Sequence, residues 1–325
     1  MTHLPKILFL IPLYLMSCTT SQIEEEFSQK EEQTAIGFNA KVNSRALADI
    51  DDVQENGFAV WGGYENTNVF NGDKVTYSNG TWGYGTAKYW ILNKEYTFFA
   101  TYPHTASVTA TNGTYKLDVE TPAAADLDIL TASAYTDTNV SNFNPEVALQ
   151  FTHLMTRVNV QIGQDFKENP YVNYRFRVNK LTLSNVKSKG TYTITVSNNT
   201  TSHSWAYETT PMTFTYTGSD NGPGDFSAEG NNLMIFGNNG LILLPQPTGS
   251  IMVDLEYEYG IVDIENETIV WEPKTATMNL PSGTWEGNTS VNYIITLSEN
   301  NVIKFTQVTV ATWGANQSGG TIIIK

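Results

Sequence analysis

Residues 35–42 read Ala35-Ile36-Gly37-Phe38-Asn39-Ala40-Lys41-Val42, with the apolar side chains of Ile36, Phe38 and Ala40 at every second position. A period of two places them on one face of an extended strand, because successive Cβ atoms point to opposite sides of the pleat. The same alternation, in short runs bounded by Gly, Asn, Asp, Ser and Pro, fills the rest of the chain. In the first half it predicts strands at 57–61, 88–92, 96–102, 114–119, 128–133 and 146–162. In the second half it predicts them at 174–186, 191–196, 212–216, 233–236, 241–244, 250–259, 275–280, 290–297 and 302–310. No long amphipathic helix is expected. The pattern predicts an all-β fold with about seven strands or more in each half, enough for two tandem two-sheet sandwiches. The polar run 163–169, closed by Pro170, sets the expected boundary, giving an N-terminal sandwich at 34–165 and a C-terminal one at 166–325. The turn-rich run 219–225 is expected to be an exposed loop.

Composition agrees with this class. The 325 residues carry a net charge of −15, yet only 16% of them are charged, against about 25% in an ordinary domain. So acidic a chain repels phosphate backbones, and nucleic acid is excluded as a partner. Thr, Asn, Ser, Gly and Tyr stand in place of the missing charge and favour strands and turns. Cys18 is the single cysteine, so no intramolecular disulfide or thiolate zinc cluster can form.

The N-terminus reads as an address. Residues 1–6 carry Lys6, and residues 7–16 (ILFLIPLYLM) form an apolar run of secretory length, too short to span a bilayer. It ends in Leu15-Met16-Ser17-Cys18, which resembles the bacterial lipobox and makes residues 1–17 a lipoprotein signal peptide with Cys18 as the lipidated residue. Several acyl chains on one residue anchor a protein durably. Residues 18–33 then form an acidic tether containing Glu24, Glu25, Glu26, Glu31 and Glu32, with little to bury. The expected location is the outer membrane, as a surface-exposed lipoprotein.

No motif for a nucleophile, metal or phosphate site occurs, so no catalytic residue, metal or cofactor is expected. His104, His153 and His203 read as satisfied strand or loop histidines, and Asp126 and Asp128 as a solvated strand edge. Aromatic residues crowd 82–102, where Trp90, Tyr96, Phe98 and Phe99 fall in strand-like runs and read as core. Trp82, Tyr84 and Trp205 are the alternative, as platforms on which a sugar could stack.

Several segments stand in a telling order: Ile36 to Ala40, Ser44-Arg45-Ala46, Gly57 to Val60, Tyr89-Trp90, and Tyr96 to Pro103. Val147 to Met155, Leu243 to Gln246, Val291 to Ile295 and Val308 to Trp313 follow them. Over almost its whole length the chain resembles the fimbrillin family of Bacteroidetes, the lipoprotein-derived subunits of type V pili. The resemblance implies two Greek-key, transthyretin-like β-sandwich domains and assembly by donor-strand exchange. In shaft subunits of the family a trypsin-like maturation protease cuts after an Arg near the first strand, and a neighbour's C-terminal strand fills the vacated groove.

Arg45 and Ala46 match that cleavage position, between the first strand and the acidic run 49–52, in what reads as an accessible linker. Ile36, Phe38 and Ala40 would mark the displaced strand. Val308, Val310 and Thr312, followed by Ile322, Ile323 and Ile324 after Gly319-Gly320, would form the donor. Burying three apolar side chains is worth on the order of 5 to 9 kcal/mol before ordering costs, with main-chain ladder bonds added. The expected partners are other fimbrillin subunits and the protease, with a host or glycan ligand possible in principle. A pilus anchor or tip subunit, or a surface glycan-binding lipoprotein, is the alternative. Removing residues 1–45 takes away four basic and five acidic residues, leaving 280 residues of net charge −14, so the acidity belongs to the folded body.

Overall fold

Strand β1 (Gly37–Val42) lies where the alternation places it, with Phe38 and Ala40 buried and Asn39 and Lys41 exposed. The structure is a computed structural model. It describes residues 33–42, 48–121, 128–165, 173–218, 225–227, 233–263, 265–266, 268–298, 303–313 and 321–323. All the elements below belong to the unit Thr34–Lys325.

The first sheet has seven strands. In spatial order they are β1, β9 (Glu146–His153), β8 (Leu130–Asp137), β5 (Glu95–Tyr102), β2 (Phe58–Tyr64), β3 (Thr67–Ser78) and β4 (Thr81–Tyr84). One face of it closes around a core that includes Phe38, Phe58, Phe70, Tyr96, Phe98, Leu130, Leu149 and Phe151. The two edge strands approach each other across that core, where the Tyr84 hydroxyl donates to the Ile36 carbonyl at 2.6 Å. Register shifts in β2 fall at Val60/Trp61 and Gly62/Gly63. A Cβ at Gly63 would lie 1.8 Å from the Thr67 carbonyl oxygen, so only glycine permits that bulge and the bend it gives the sheet.

A four-stranded sheet, ordered β13 (Thr200–Tyr207), β12 (Lys189–Ser197), β7 (Thr114–Glu120) and β6 (Val108–Thr111), packs on the other face of β2 and β5. Tyr115, Leu117, Tyr192 and Ile194 meet Ala59, Trp61 and Phe99 there. Strand β5 is therefore buried on both faces, which is why Tyr96, Phe98, Phe99 and Ala100 are nearly all apolar.

The remaining strands form two sheets around a third core. One is ordered β16 (Leu233–Met234), β10 (Thr156–Asp165), β20 (Thr289–Ser298), β21 (Ile303–Thr312) and β22 (Thr321–Ile323), with β17 (Leu241–Leu243) also pairing β10. The other is ordered β14 (Pro211–Thr217), β11 (Asn173–Lys187), β18 (Met252–Asp263) and β19 (Thr268–Asn279), with β15 (Asp225–Ser227) beside β11. Val158, Val160, Phe176, Leu181, Val253, Trp285, Val291 and Ile295 fill the space between them.

The chain is all-β as expected, but its sheets do not divide at residue 165. Strand β10 precedes that point and pairs in parallel with β20 over ten residues. The hairpin β12–β13 follows it and joins β7 in the N-terminal part. Polar composition at 163–169 suggests the boundary but carries no information about which strands pair across it, and 163–165 continue β10. Residues 88–92 are not a strand: they are a loop whose Tyr89 makes a single bridge to Ala35 while Trp90 is buried. The acidic run 49–52, which the sequence places after the linker, caps and begins helix α1 (Ile50–Asn56), with Asp49 and Asp52 forming a reciprocal capping box.

Candidate assembly strands and an aromatic cleft

The chain places Ile36, Phe38 and Ala40 together on the core side, with 1%, 5% and 6% of their surface exposed. Strand β1 is the edge of its sheet and has one ladder partner, β9, with Phe38 opposite Val147 and Ala40 opposite Leu149 in a parallel register. On its other side its entry is held by Ile36 N–H donating to the Lys88 carbonyl at 2.8 Å, Trp90 N–H to the Thr34 carbonyl at 3.0 Å, and the Tyr84 hydroxyl to the Ile36 carbonyl. The Phe38 ring packs edge-on against Phe58, Phe70, Tyr84 and Phe98. Trp82 and Tyr84, read from sequence as possible sugar platforms, pack against this core instead. Burial also pushes the Tyr84 phenol up from its ordinary value.

The C-terminal residues divide differently from expectation. Val308, Val310 and Thr312 lie in β21, which pairs with β20 on one side and β22 on the other. Val308 is buried, but Val310 is 36% exposed and Thr312 is exposed, so the three do not form one buried row. A register shift separates Phe305 from Gln307, and Phe305, Ala311 and Trp313 are buried along with Val308. Strand β22 is the sheet edge, with Ile322 opposite Val308 and Ile323 opposite Gln307 in the backbone register. Cys18, Arg45, Ala46 and Ile324 lie outside the described residues.

Sequence reasoning missed a buried polar knot beside the start of α1. Asp128, expected at a solvated edge, is 6% exposed. One of its oxygens accepts the Ala48 N–H at 3.1 Å, and the other lies 2.9 Å from His153 Nδ1. The His153 ring stacks on Trp313 at 4.6 Å and 9°. This carboxylate thus ties the chain that follows residues 43–47 to the end of β9 and to the end of β21. The D-x-x-D spacing of Asp49 and Asp52 could have revealed the helix, but nothing local in the sequence reveals a partner 80 residues away.

The third sequence-predicted platform, Trp205, does line a cleft. About 300 Å³ in volume, it is bounded by Tyr192, His203 and Trp205 of the β12–β13 hairpin, by Thr152 and His153 of β9, and by Glu286 and Asn288. The Tyr192 and Trp205 rings lie 5.2 Å apart at 49°. Burial pushes the Tyr192 phenol up to about 12. Among the described residues no group of three His, Cys, Asp or Glu is placed to hold a metal ion, and no helix is long and apolar enough to cross a membrane.

Comparison with known proteins places these features in a group. A family model described as fimbrillin-like matches residues 45–313. Among solved structures, a fimbrial protein from Bacteroides vulgatus superposes with a TM-score of 0.64 at 17% identity, covering 86% of this chain and 99% of that one. A putative cell adhesion protein from Parabacteroides distasonis aligns with a TM-score of 0.48 at 7% identity, covering 84% of this chain and 98% of that one. Among curated proteins no match is found.

Proposed function

The chain belongs to the fimbrillin-like family, and on that premise we propose that it is a structural subunit of a type V pilus, exported as a surface lipoprotein and assembled by strand exchange. In this reading Cys18 carries the lipid and holds the precursor at the outer membrane. A trypsin-like protease then cuts between Arg45 and Ala46. The cut severs β1 from the body, so the strand is held only by its non-covalent contacts and can leave. Its departure uncovers Val147, Leu149 and Phe151 on β9 and the ring cluster around Phe58, together with the unpaired main-chain edge of β9. An exposed apolar slot beside an open edge drives association with any strand that fits it.

The observation that carries this reading is the position of β1: an edge strand, buried by its alternate side chains, joined to the next described residue through 43–47. The Asp128 contact to Ala48 supports it, because it anchors the body two residues beyond the proposed cut and lets the body keep its shape when β1 goes. The incoming donor is the C-terminal segment of a second subunit, beginning with β22. Treatment of purified precursor with trypsin-like protease is expected to produce a chain starting at Ala46 and heat-resistant ladders on gels. Arg45→Ala should prevent both, and ladders formed as readily by that variant would remove cleavage at this bond as the trigger.

A further inference from the structure

Strand β13 is the outer edge of its sheet, and its residues Thr200 to Ser204 are exposed, yet it carries Trp205 and Tyr207 half-buried. Those two rings stack nearly parallel, 4° apart in plane at 6.1 Å. Tyr207 is fixed from behind through its hydroxyl, which donates to the Pro245 carbonyl, and Trp205 leans on the buried Tyr192. Trp205 and Tyr207 both pack against the core between the sheets, and of the two it is Trp205, beside Tyr192, that also lines the cleft.

The other wall is polar and equally fixed. The Glu286 carbonyl accepts hydrogen bonds from the hydroxyls of Thr156 and Thr289, each at 2.6 Å. Asn288 N–H donates to the Met155 carbonyl, and the Asn288 carbonyl accepts from Trp313 N–H. The backbone is thus pinned on both sides of Gly287, while the Glu286 residue itself remains exposed. A flat aromatic face opposite a carboxylate, an amide and hydroxyls matches the two chemistries of a sugar ring. Its C–H face packs on aromatic carbon, and its hydroxyls donate to carboxylate and amide oxygens.

We infer that this cleft binds a pyranose unit of a neutral glycan, with Trp205 as the stacking platform and Glu286 as the hydroxyl acceptor. Neutrality follows from charge: Glu286 and a body of net charge −14 disfavour a carboxylated or sulfated sugar. The small volume suits a single ring with its linkage leaving toward solvent. A larger cleft of about 560 Å³ among the turns at Glu65, Asn93, Asn112 and Asn198 offers one ring, Tyr135, and its Glu65 carboxylate is already paired with Lys94 at 2.6 Å. It lacks the aromatic wall that sets the Trp205 cleft apart.

The test uses the full chain, followed by intrinsic tryptophan fluorescence and an array of immobilised glycans. The probes are galactose, glucose, N-acetylglucosamine, lactose and cellobiose, with sialyllactose as the anionic comparison. At least one neutral probe should give a saturable signal that Trp205→Ala weakens tenfold or more and that Glu286→Gln, a change at an exposed side chain, weakens severalfold. Sialyllactose should bind more weakly than lactose. No saturable signal from any neutral probe or arrayed neutral glycan would overturn the proposal, as would undiminished binding by Glu286→Gln together with folded Trp205→Ala. Protease-triggered laddering without sugar should be the same in both variants as in the parent chain, so failure here leaves the assembly reading standing.

Discussion

Phe38 touches four aromatic rings at centroid separations between 5.2 and 6.2 Å, more ring contacts than its strand neighbours can make. Truncating such a residue removes transfer energy and leaves a cavity, together about 3 to 5 kcal/mol. The precursor Phe38→Ala should accordingly melt about 6 °C or more below the parent. If residues 1–45 leave during assembly, fibres grown from that variant should be as heat-resistant as parental fibres. A fibre weakened in step with its precursor would mean that Phe38 stays in place. Ile36, Phe38 and Ala40 were legible as one buried face because alternation is a local signal. Asp128 was not, because its burial depends on Ala48 and His153, which the fold brings to it from distant parts of the chain.

At the scale of elements, legibility followed burial, on one face or on both. Strands β1, β5, β7 and β12 each carry alternating or continuous apolar side chains, and the sequence marks them within a few residues, whereas the single run expected at 146–162 is two strands, β9 and β10. Strand β13 has no fully buried residue, and β19 is exposed or half-exposed throughout, so the run TTSHSWAY and the first half of TIVWEPKTATMN, before the predicted 275–280, are not marked as strand. What makes them strands is pairing with β12 and β18, a long-range choice invisible to a period of two. The same limit bears on the proposed donor. Val308, Val310 and Thr312 alternate in sequence, but only Val308 is buried and β21 has partners on both sides, neither of which alternation reveals. Strand β22, paired on one side to β21, is the C-terminal element that can leave without opening the sheet. Deleting residues 321–325 should therefore leave the monomer folded, with a melting temperature close to the parent's, yet abolish protease-triggered ladders. Deleting 308–325 should unfold the C-terminal part, since it removes Val308 and Trp313 from their cores. Undiminished laddering by the shorter truncation would eliminate β22 as part of the donor.

The whole molecule is acidic, and this constrains how copies can join. Two bodies of net charge −14 repel, so steering by charge cannot assemble them. Stable association must come from apolar burial and main-chain pairing concentrated in a narrow slot, which strand exchange supplies. The β1 slot, bordered by β9 and roofed by the Phe58, Phe70 and Phe98 rings, has the required form: alternate pockets beside an open edge. The most direct test is a reconstruction of assembled fibres by electron cryomicroscopy at a resolution that traces side chains, with mass spectrometry of the subunits. The account predicts subunits beginning at Ala46 and a strand from a neighbouring subunit, starting at or near Thr321, lying along Glu146–His153. Fibres whose subunits retain Gly37–Val42 in that slot would contradict it.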